Sequence, residues 1–329
     1  MAATPIRLPA IRAEPQPAGY RDLLEALRAA AEPTRLRLLG ALASSELTVT
    51  EITQVLGQSQ PRVSRHLKLL CDAGLLDRVP EGSWVFYRLA DNPIARIVVD
   101  LLGSNDEALE ADRERLAGVQ LARQEAADGY FKEHAHEWND IRSLHGPEEE
   151  VEHALVGLVG PGPIGDLLDI GTGTGRMLEL LAPRAERAIG IDRSHEMLAY
   201  ARAALAQTDA RQVQLRHGDM YRLALPARSI DLAILHQVLH FADDPAAVLR
   251  EVARVLRPGG RLLLVDFAPH GEESLRNDHA HRRLGFTTDD IRHWCVLSGL
   301  RARDASRLLG SPLTVVIWEC TLPHADFTP

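Results

Sequence analysis

Asp166-Leu167-Leu168-Asp169-Ile170-Gly171-Thr172-Gly173-Thr174-Gly175 is the stretch that decides the fold of the longer part of this chain. A short apolar run passes straight into a glycine-rich turn, and helical spacing starts at once with Met177, Leu178, Leu180 and Leu181. Strand, bare turn and helix start in that order present backbone amides to a ligand at a helix N-terminus. The turn alone fits a dinucleotide fingerprint. That pattern needs a third glycine at 176, however, and the residue there is Arg176.

Further strand ends add polar groups. A second strand, Ala188 to Ile191, ends at Asp192, where a carboxylate can accept both hydroxyls of a ribose, with Arg193 beside it as a further binding candidate. A third, Val213 to Leu215, leads to Gly218-Asp219-Met220; Asp219 can accept from an adenine amino group and Met220 can pack on the ring. A fourth, Ile230 to Leu235, ends in His236-Gln237-Val238-Leu239-His240. A helix from Pro245 to Leu256, a strand from Arg261 to Phe267, a helix from Thr288 to Ser298 and strands over Ala302 to Leu308 and Leu313 to Cys320 complete the pattern. Alternating strands and helices predict a parallel α/β sheet, which binds ligands at its carboxyl edge.

The first third of the chain has another rhythm. Apolar residues recur at helical spacing at Leu23, Leu24 and Leu27, and past Pro33 at Leu36, Leu38, Leu39 and Leu42. A short helix over Val49 to Leu56 is expected, capped by Thr48 and ended by Gly57. Next comes Ser59-Gln60-Pro61-Arg62-Val63-Ser64-Arg65-His66-Leu67-Lys68-Leu69-Leu70, with Ser59 as N-cap and Pro61 in the first turn. Val63, Leu67 and Leu70 share one face; Gln60, Arg62, Ser64, Arg65 and Lys68 share the other. An apolar back with a polar, basic front suits a helix lying in a DNA major groove. Beyond Ala73-Gly74-Leu75 the period becomes two, around Pro80-Glu81-Gly82-Ser83, and predicts a β-hairpin wing over Leu76 to Val79 and Trp84 to Leu89. Ser59, Gln60, Arg62, Ser64, Arg65, His66, Lys68 and Arg88 are the candidate DNA-binding residues. Each piece alone also fits a solvated helical interaction domain; their ordered succession favours DNA.

Residues 20–92 resemble the ArsR/SmtB family of bacterial repressors, through Glu32-Pro33-Thr34-Arg35-Leu36, Ser59-Gln60-Pro61, Val63-Ser64-Arg65-His66-Leu67 and Tyr87-Arg88-Leu89. The resemblance implies a homodimer on double-stranded operator DNA. Many members hold soft metals through two cysteines in Glu-Leu-Cys-Val-Cys-Asp-Leu. Here the same place reads Glu46-Leu47-Thr48-Val49-Thr50-Glu51-Ile52, and hydroxyls do not replace thiolates. The family's second site uses Asp and His after the wing, where this chain has Asp100 and no His. No metal is therefore expected.

Residues 150–322 resemble the class I S-adenosylmethionine (SAM)-dependent methyltransferases, through Leu168 to Gly175, Gly190-Ile191-Asp192 and Leu256-Arg257-Pro258-Gly259-Gly260. The fold implied is α/β and Rossmann-like, a mostly parallel seven-stranded sheet with its last strand inserted antiparallel. The cofactor implied is SAM or its product S-adenosylhomocysteine (SAH), held by Asp169, Gly171, Gly173, Gly175, Asp192, Arg193, Asp219, Met220 and His236. A similar Tyr-Phe…Trp segment closes over the cofactor in many methyltransferases, so Tyr130 and Trp138 could line a lid. His134, His136 and Glu137 in that segment invite a metal reading, but i and i+2 on a helix do not face one another.

Charge divides the same way. Net charge is -9, yet residues 1–90 hold 11 Lys+Arg against 9 Asp+Glu, so the acidity lies beyond the DNA-binding candidate. Cys71, Cys295 and Cys320 form no CxxC pair, which fits a reducing cytoplasm. No apolar stretch is long enough for a membrane span, and Met1 to Tyr20 lacks the apolar core of a secretory signal. The expected plan is a flexible arm over 1–19, a winged helix-turn-helix over 20–103, a helical connector and lid over 104–149 that includes a long helix from Ser104 to Ala127, the methyltransferase-type domain over 150–322, and a tail over 323–329.

Two functions remain open. In one, the chain is a transcriptional repressor whose second domain senses SAM or SAH and so reports on the methionine and SAM cycle. In the other, it methylates a small-molecule acceptor, and the DNA-binding domain localises or autoregulates it. Candidate bases are His236 and His240, with His279, His281, Arg282 and Arg283 as another group. Arsenite methylation is disfavoured by the two cysteines of the domain, and DNA methylation by the lack of an Asn/Asp-Pro-Pro-Tyr stretch after the fourth strand.

Overall fold

The structure, a computed structural model, describes residues 19–43, 45–81, 84–90, 92–102, 106–134, 148–205, 213–303, 306–310 and 312–324. Contacts divide the chain into two units, residues 1–79 with 85–119 and residues 80–84 with 120–329. Residues 1–18 of the arm expected over 1–19, Trp138 and the end of the tail lie outside the described residues.

The first unit runs α1 (Tyr20–Ala30), α2 (Pro33–Leu42), β1 (Leu47–Thr48), α3 (Val49–Leu56), α4 (Gln60–Asp72), β2 (Leu76–Glu81), β3 (Trp84–Leu89), α5 (Pro93–Asp100) and the start of α6 (Glu107–His134). Side chains set most of these helix starts. The Glu32 carboxylate accepts from the Arg35 amide at 3.0 Å ahead of α2. At α3 the Thr48 hydroxyl accepts from the Glu51 amide at 3.4 Å while the Glu51 carboxylate accepts from the Thr48 amide at 2.8 Å, a capping box. Gly57 ends α3 at φ +64°. Ser59 holds the cap position of α4 but makes no side-chain capping bond. Leu38, Leu39, Ile52, Val63, Leu67 and Leu70 fill the core. On α1 the inward residues are Ala26 and Ala30, whereas Leu23, Leu24 and Leu27 stay 44%, 42% and 48% exposed. Arg37 donates to both oxygens of the buried Asp112 at 2.6 and 2.7 Å and to the Leu56 carbonyl at 2.9 Å, tying α6 to α2 and α3.

The second unit runs α7 (Glu148–Val159), β4 (Gly165–Ile170), α8 (Arg176–Leu181), β5 (Ala185–Asp192), α9 (His195–Leu205), β6 (Val213–His217), β7 (Ile230–His236), α10 (Pro245–Val255), β8 (Leu256–Phe267), α11 (Glu273–Asp278), α12 (Thr288–Leu297), β9 (Arg301–Ala302), β10 (Ser306–Leu308) and β11 (Val315–Thr321). The sheet order is β10-β11-β8-β7-β4-β5-β6, with β9 also on β11. Pairings among β4, β5, β6, β7 and β8 are parallel; β11 is antiparallel to β8, β9 and β10. This is the Rossmann-like methyltransferase fold with a mixed sheet. The run expected as one strand from Ala302 to Leu308 is two pieces, which makes the sheet eight-stranded. Ala302 pairs with Cys320 and Ser306 with Ile317, both antiparallel to β11.

At the amino edge of the sheet, Arg187 and Arg257 converge on Asp166. Arg187 donates at 2.5 and 2.8 Å and Arg257 at 2.7 Å, and Arg257 also pairs with Asp231. These bonds, Arg187 first, hold the Asp166 carboxyl below its ordinary pKa. That charge network leaves the opposite, carboxyl edge for ligand. Among the described residues, no helix is long and apolar enough to cross a membrane.

Candidate functional site

At the end of β4 the chain turns through Gly171, Gly173 and Gly175 at φ +69°, +53° and +88°, a region glycine enters without strain. Space also demands glycine at 171, because a Cβ there would stand 2.5 Å from Cγ2 of Val238. The amides of Gly171 and Thr172 both donate to the Ile191 carbonyl, at 2.8 and 3.0 Å, folding the turn onto β5. Asp169, buried below, accepts from the Thr172 hydroxyl at 2.6 Å and braces the turn. Where a dinucleotide loop would carry glycine, Arg176 opens α8 and donates twice to Glu152 of α7, each at 2.7 Å.

Asp192 closes β5. Its carboxylate accepts from the amides of Gly173 and Ser194, both at 2.8 Å. A carboxylate offers roughly four acceptor positions, so room is left for ribose hydroxyls. Desolvation raises its pKa, opposed by the amides of Ser194, Gly173 and Arg193 and by the nearby His217. Beside it the Gly218 amide donates to the Asp192 carbonyl at 3.0 Å. Asp219 accepts from the Tyr221 amide at 2.8 Å, and Met220 packs half-buried on the core. The glycine turn, Asp192, half-buried Arg193, Asp219 and Met220 thus share one edge. Tyr130 lies in α6, and its side chain is outside the described residues.

On the other side of β4, β7 ends at His236, which is buried and paired in register with Val265. Gln237 follows at φ +55° and Ala280, farther on, sits at +56°, conformations that cost a non-glycine residue about 1–3 kcal/mol and cluster at functional sites. His240 is buried with its Nδ1 2.8 Å from Oδ1 of Asp266. His281 stacks on it, ring centroids 3.9 Å apart. The end of β8 is closed over by residues 281–286: a Cβ at Gly285 would stand 2.2 Å from the Ala268 carbonyl oxygen, and the Phe286 amide donates to the Phe267 carbonyl at 2.9 Å.

In the first unit Ser59, Gln60, Arg62, Ser64, Arg65 and Lys68 are exposed along one side of α4, with Val63, Leu67 and Leu70 buried behind. His66 and Arg88 are engaged inside the chain. His66 lies 3.6 Å from Glu32, and Arg88 pairs with Glu46 at 3.6 Å and Asp77 at 3.5 Å. The Thr48 hydroxyl, at a position where metal-binding relatives carry thiolate, serves the capping box described above.

Residues 168–264 match the family model "Methyltransferase domain", and residues 32–78 match "Bacterial regulatory protein, arsR family". A trans-aconitate 2-methyltransferase of Azoarcus sp. is 35% identical over 196 residues, 57% of this chain and 68% of that protein. The chain belongs to the SAM-dependent methyltransferase family. A Mycolicibacterium smegmatis protein described as "Probable S-adenosylmethionine-dependent methyltransferase" is 34% identical over 163 residues, 44% of this chain and 62% of that one. The matched segments span between 28% and 62% of the first relatives' own lengths. Among solved structures, a chain from the complex of the Haloferax volcanii Trm112 methyltransferase activator with its methyltransferase superposes with a TM-score of 0.50 at 21% identity. That match covers 59% of this chain and 98% of that one. SAM is the cofactor of this family; the amides of Gly171, Thr172, Gly173 and Gly175 are bonded within the turn and to β5, while the Asp192 carboxylate keeps acceptor capacity beyond the two amides it holds.

Sequence reasoning missed Asp266, a carboxylate set between Leu262-Leu263-Leu264-Val265 and Phe267. A fully buried charge in such a run needs partners, and that was the available signal. It also missed Tyr221, whose hydroxyl accepts from the amides of Asp243 and Asp244 at 2.7 and 3.2 Å; burial pushes its pKa up. The scattered Cys295 and Cys320 meet with sulfurs 3.4 Å apart in the core. Their hydrogen bond and burial push the Cys320 thiol up, away from the thiolate a soft metal needs.

Proposed function

We propose that this chain is a DNA-binding repressor whose second unit takes up SAM or SAH, its occupancy reporting the state of the methionine and SAM cycle. The observation that carries the reading is an ArsR-type helix-turn-helix on one chain with a SAM-family domain, while the threonines Thr48 and Thr50 stand where a metal sensor needs cysteines. Gly171, Gly173, Gly175, Asp192, Asp219 and Met220 hold the cofactor, with Arg193, Asp169, His236 and Tyr130 around it. Gln60, Arg62, Ser64, Arg65 and Lys68 meet double-stranded operator DNA; Ser59, His66 and Arg88 flank that face. The working form is a cytoplasmic homodimer. Leu23, Leu24 and Leu27 of α1, with Ile97 and Leu101 at 57% and 79% exposed, supply an apolar surface for it. A ligand that binds two states of the dimer unequally shifts DNA affinity, and DNA shifts ligand affinity by the same factor.

A second reading, catalysis on a small-molecule acceptor, is favoured by the buried His240–Asp266 pair. Calorimetry with SAM and SAH, in the presence and absence of an operator selected in vitro, tests the first reading. Unequal ligand affinities with and without DNA are expected, and equal affinities would remove it.

A further inference from the structure

We propose that His240, oriented by Asp266, is the general base for methyl transfer to a neutral hydroxyl, a phenol or an enol; this rests on the SAM site proposed above. Asp266 is fully buried, and an ionised carboxylate survives there only with strong partners. It has three donors: the His240 ring at 2.8 Å, the His240 amide at 3.2 Å and the Phe267 amide at 2.8 Å. Because the carboxylate only accepts, Nδ1 of His240 bears the hydrogen and Nε2 carries the lone pair. No hydrogen bond to Nε2 forms among the described residues. The ring is fixed in plane as well as direction. His281 stacks on it at 15°, and the amides of Arg282 and Arg283 both donate to the His240 carbonyl at 3.0 Å. Nucleophilic sites use the same logic, a base held in one tautomer by a third group.

Position agrees with this role. Val238, two residues before His240, fills the space that a side chain at Gly171 would need, so the segment carrying the base packs on the first glycine of the cofactor turn. Of the arginines whose amides hold the His240 carbonyl, Arg282 pairs with Asp243 at 2.6 Å. An ionised carboxylate has no proton for His240 to take. A hydroxyl has one. SAM supplies a methyl already activated on a sulfonium. As the acceptor oxygen forms its bond to that methyl, the hydroxyl proton passes to Nε2, the carbon–sulfur electron pair returns to sulfur, and SAH leaves. Asp266 stabilises the imidazolium until its proton is lost to water.

The test uses the full chain, labelled-methyl SAM and three probes at pH 8: catechol, 4-nitrophenol, which is already ionised, and benzoate. Transfer to both phenols is expected. H240Q should lower kcat on catechol by about 100-fold or more with KM little changed, and lower turnover of 4-nitrophenolate far less, because no proton need be removed. SAM binding by calorimetry should stay within about twofold, which guards against misfolding. In the cofactor-free protein, 15N NMR should report the Nδ1–H tautomer at His240 and its loss in D266N. Transfer to benzoate alone, transfer to no probe by protein that binds SAM, equal losses on both phenols, or the Nε2–H tautomer would overturn the proposal. Failure of the unaltered chain to bind SAM would instead overturn the site reading beneath it.

Discussion

The polar residues on the outer face of α4 and those at the carboxyl edge of the second unit are prepared for ligand in opposite ways. Gln60, Ser64, Arg65 and Lys68 stand exposed on a helix fixed by its apolar back, so in the proposed operator complex their final geometry is left to the DNA. Asp192 accepts from the amides of Gly173 and Ser194 and Asp219 from that of Tyr221, so the shape of the proposed cofactor site exists without a ligand. A preorganised site concentrates its loss in single residues, whereas an electrostatic face distributes it over many.

The sharpest way to break this contrast is D192A. It removes the ribose acceptor and also strands the amides of Gly173 and Ser194, so SAM binding should fall below detection by calorimetry while DNA binding by the first unit persists. Retained SAM binding would show that the edge is not preorganised around this carboxylate. D112A addresses stability of the first unit instead. It leaves Arg37 without its buried carboxylate, and a loss of about 3–5 kcal/mol is expected on breaking such a pair, read by denaturant unfolding with SAM binding unchanged. R65A should weaken operator binding only modestly and nearly equally across sequences if Arg65 meets phosphate, reducing the slope of log affinity against log salt by about 1. A loss confined to one base position would move Arg65 to base readout. The smallest effect is expected for T48A, which removes half of a capping box at a cost of about 1 kcal/mol, measured as a shift in the unfolding midpoint.

What the sequence made legible follows from period and composition. The glycine turn, Asp192 and the split of α4 into an apolar back and a basic front depend on local spacing, and each lies where that spacing puts it. The limits of α3, Val49–Leu56, follow from Thr48 and Gly57 for the same reason. Other features depend on partners distant in the chain. Strand β1 has two residues and exists only because β3 pairs with it, Leu47 opposite Tyr87. His66, midway along α4 and partly buried, is drawn to Glu32, and Arg88 to Glu46 and Asp77. The Asp266–His240 pair joins residues 26 apart in sequence, and no periodicity encodes that meeting. That β9 and β10 meet β11 as separate pieces is visible only once the register is known.

The central claim is that the cofactor and the operator are felt by the same molecule. Fluorescence anisotropy of an operator selected in vitro, titrated with the full chain alone, with saturating SAM and with saturating SAH, tests it most directly. A change of at least about fivefold in DNA affinity with one ligand, the lower range of allosteric coupling, is predicted. Identical curves in all three conditions, from protein shown to bind SAM, would contradict it.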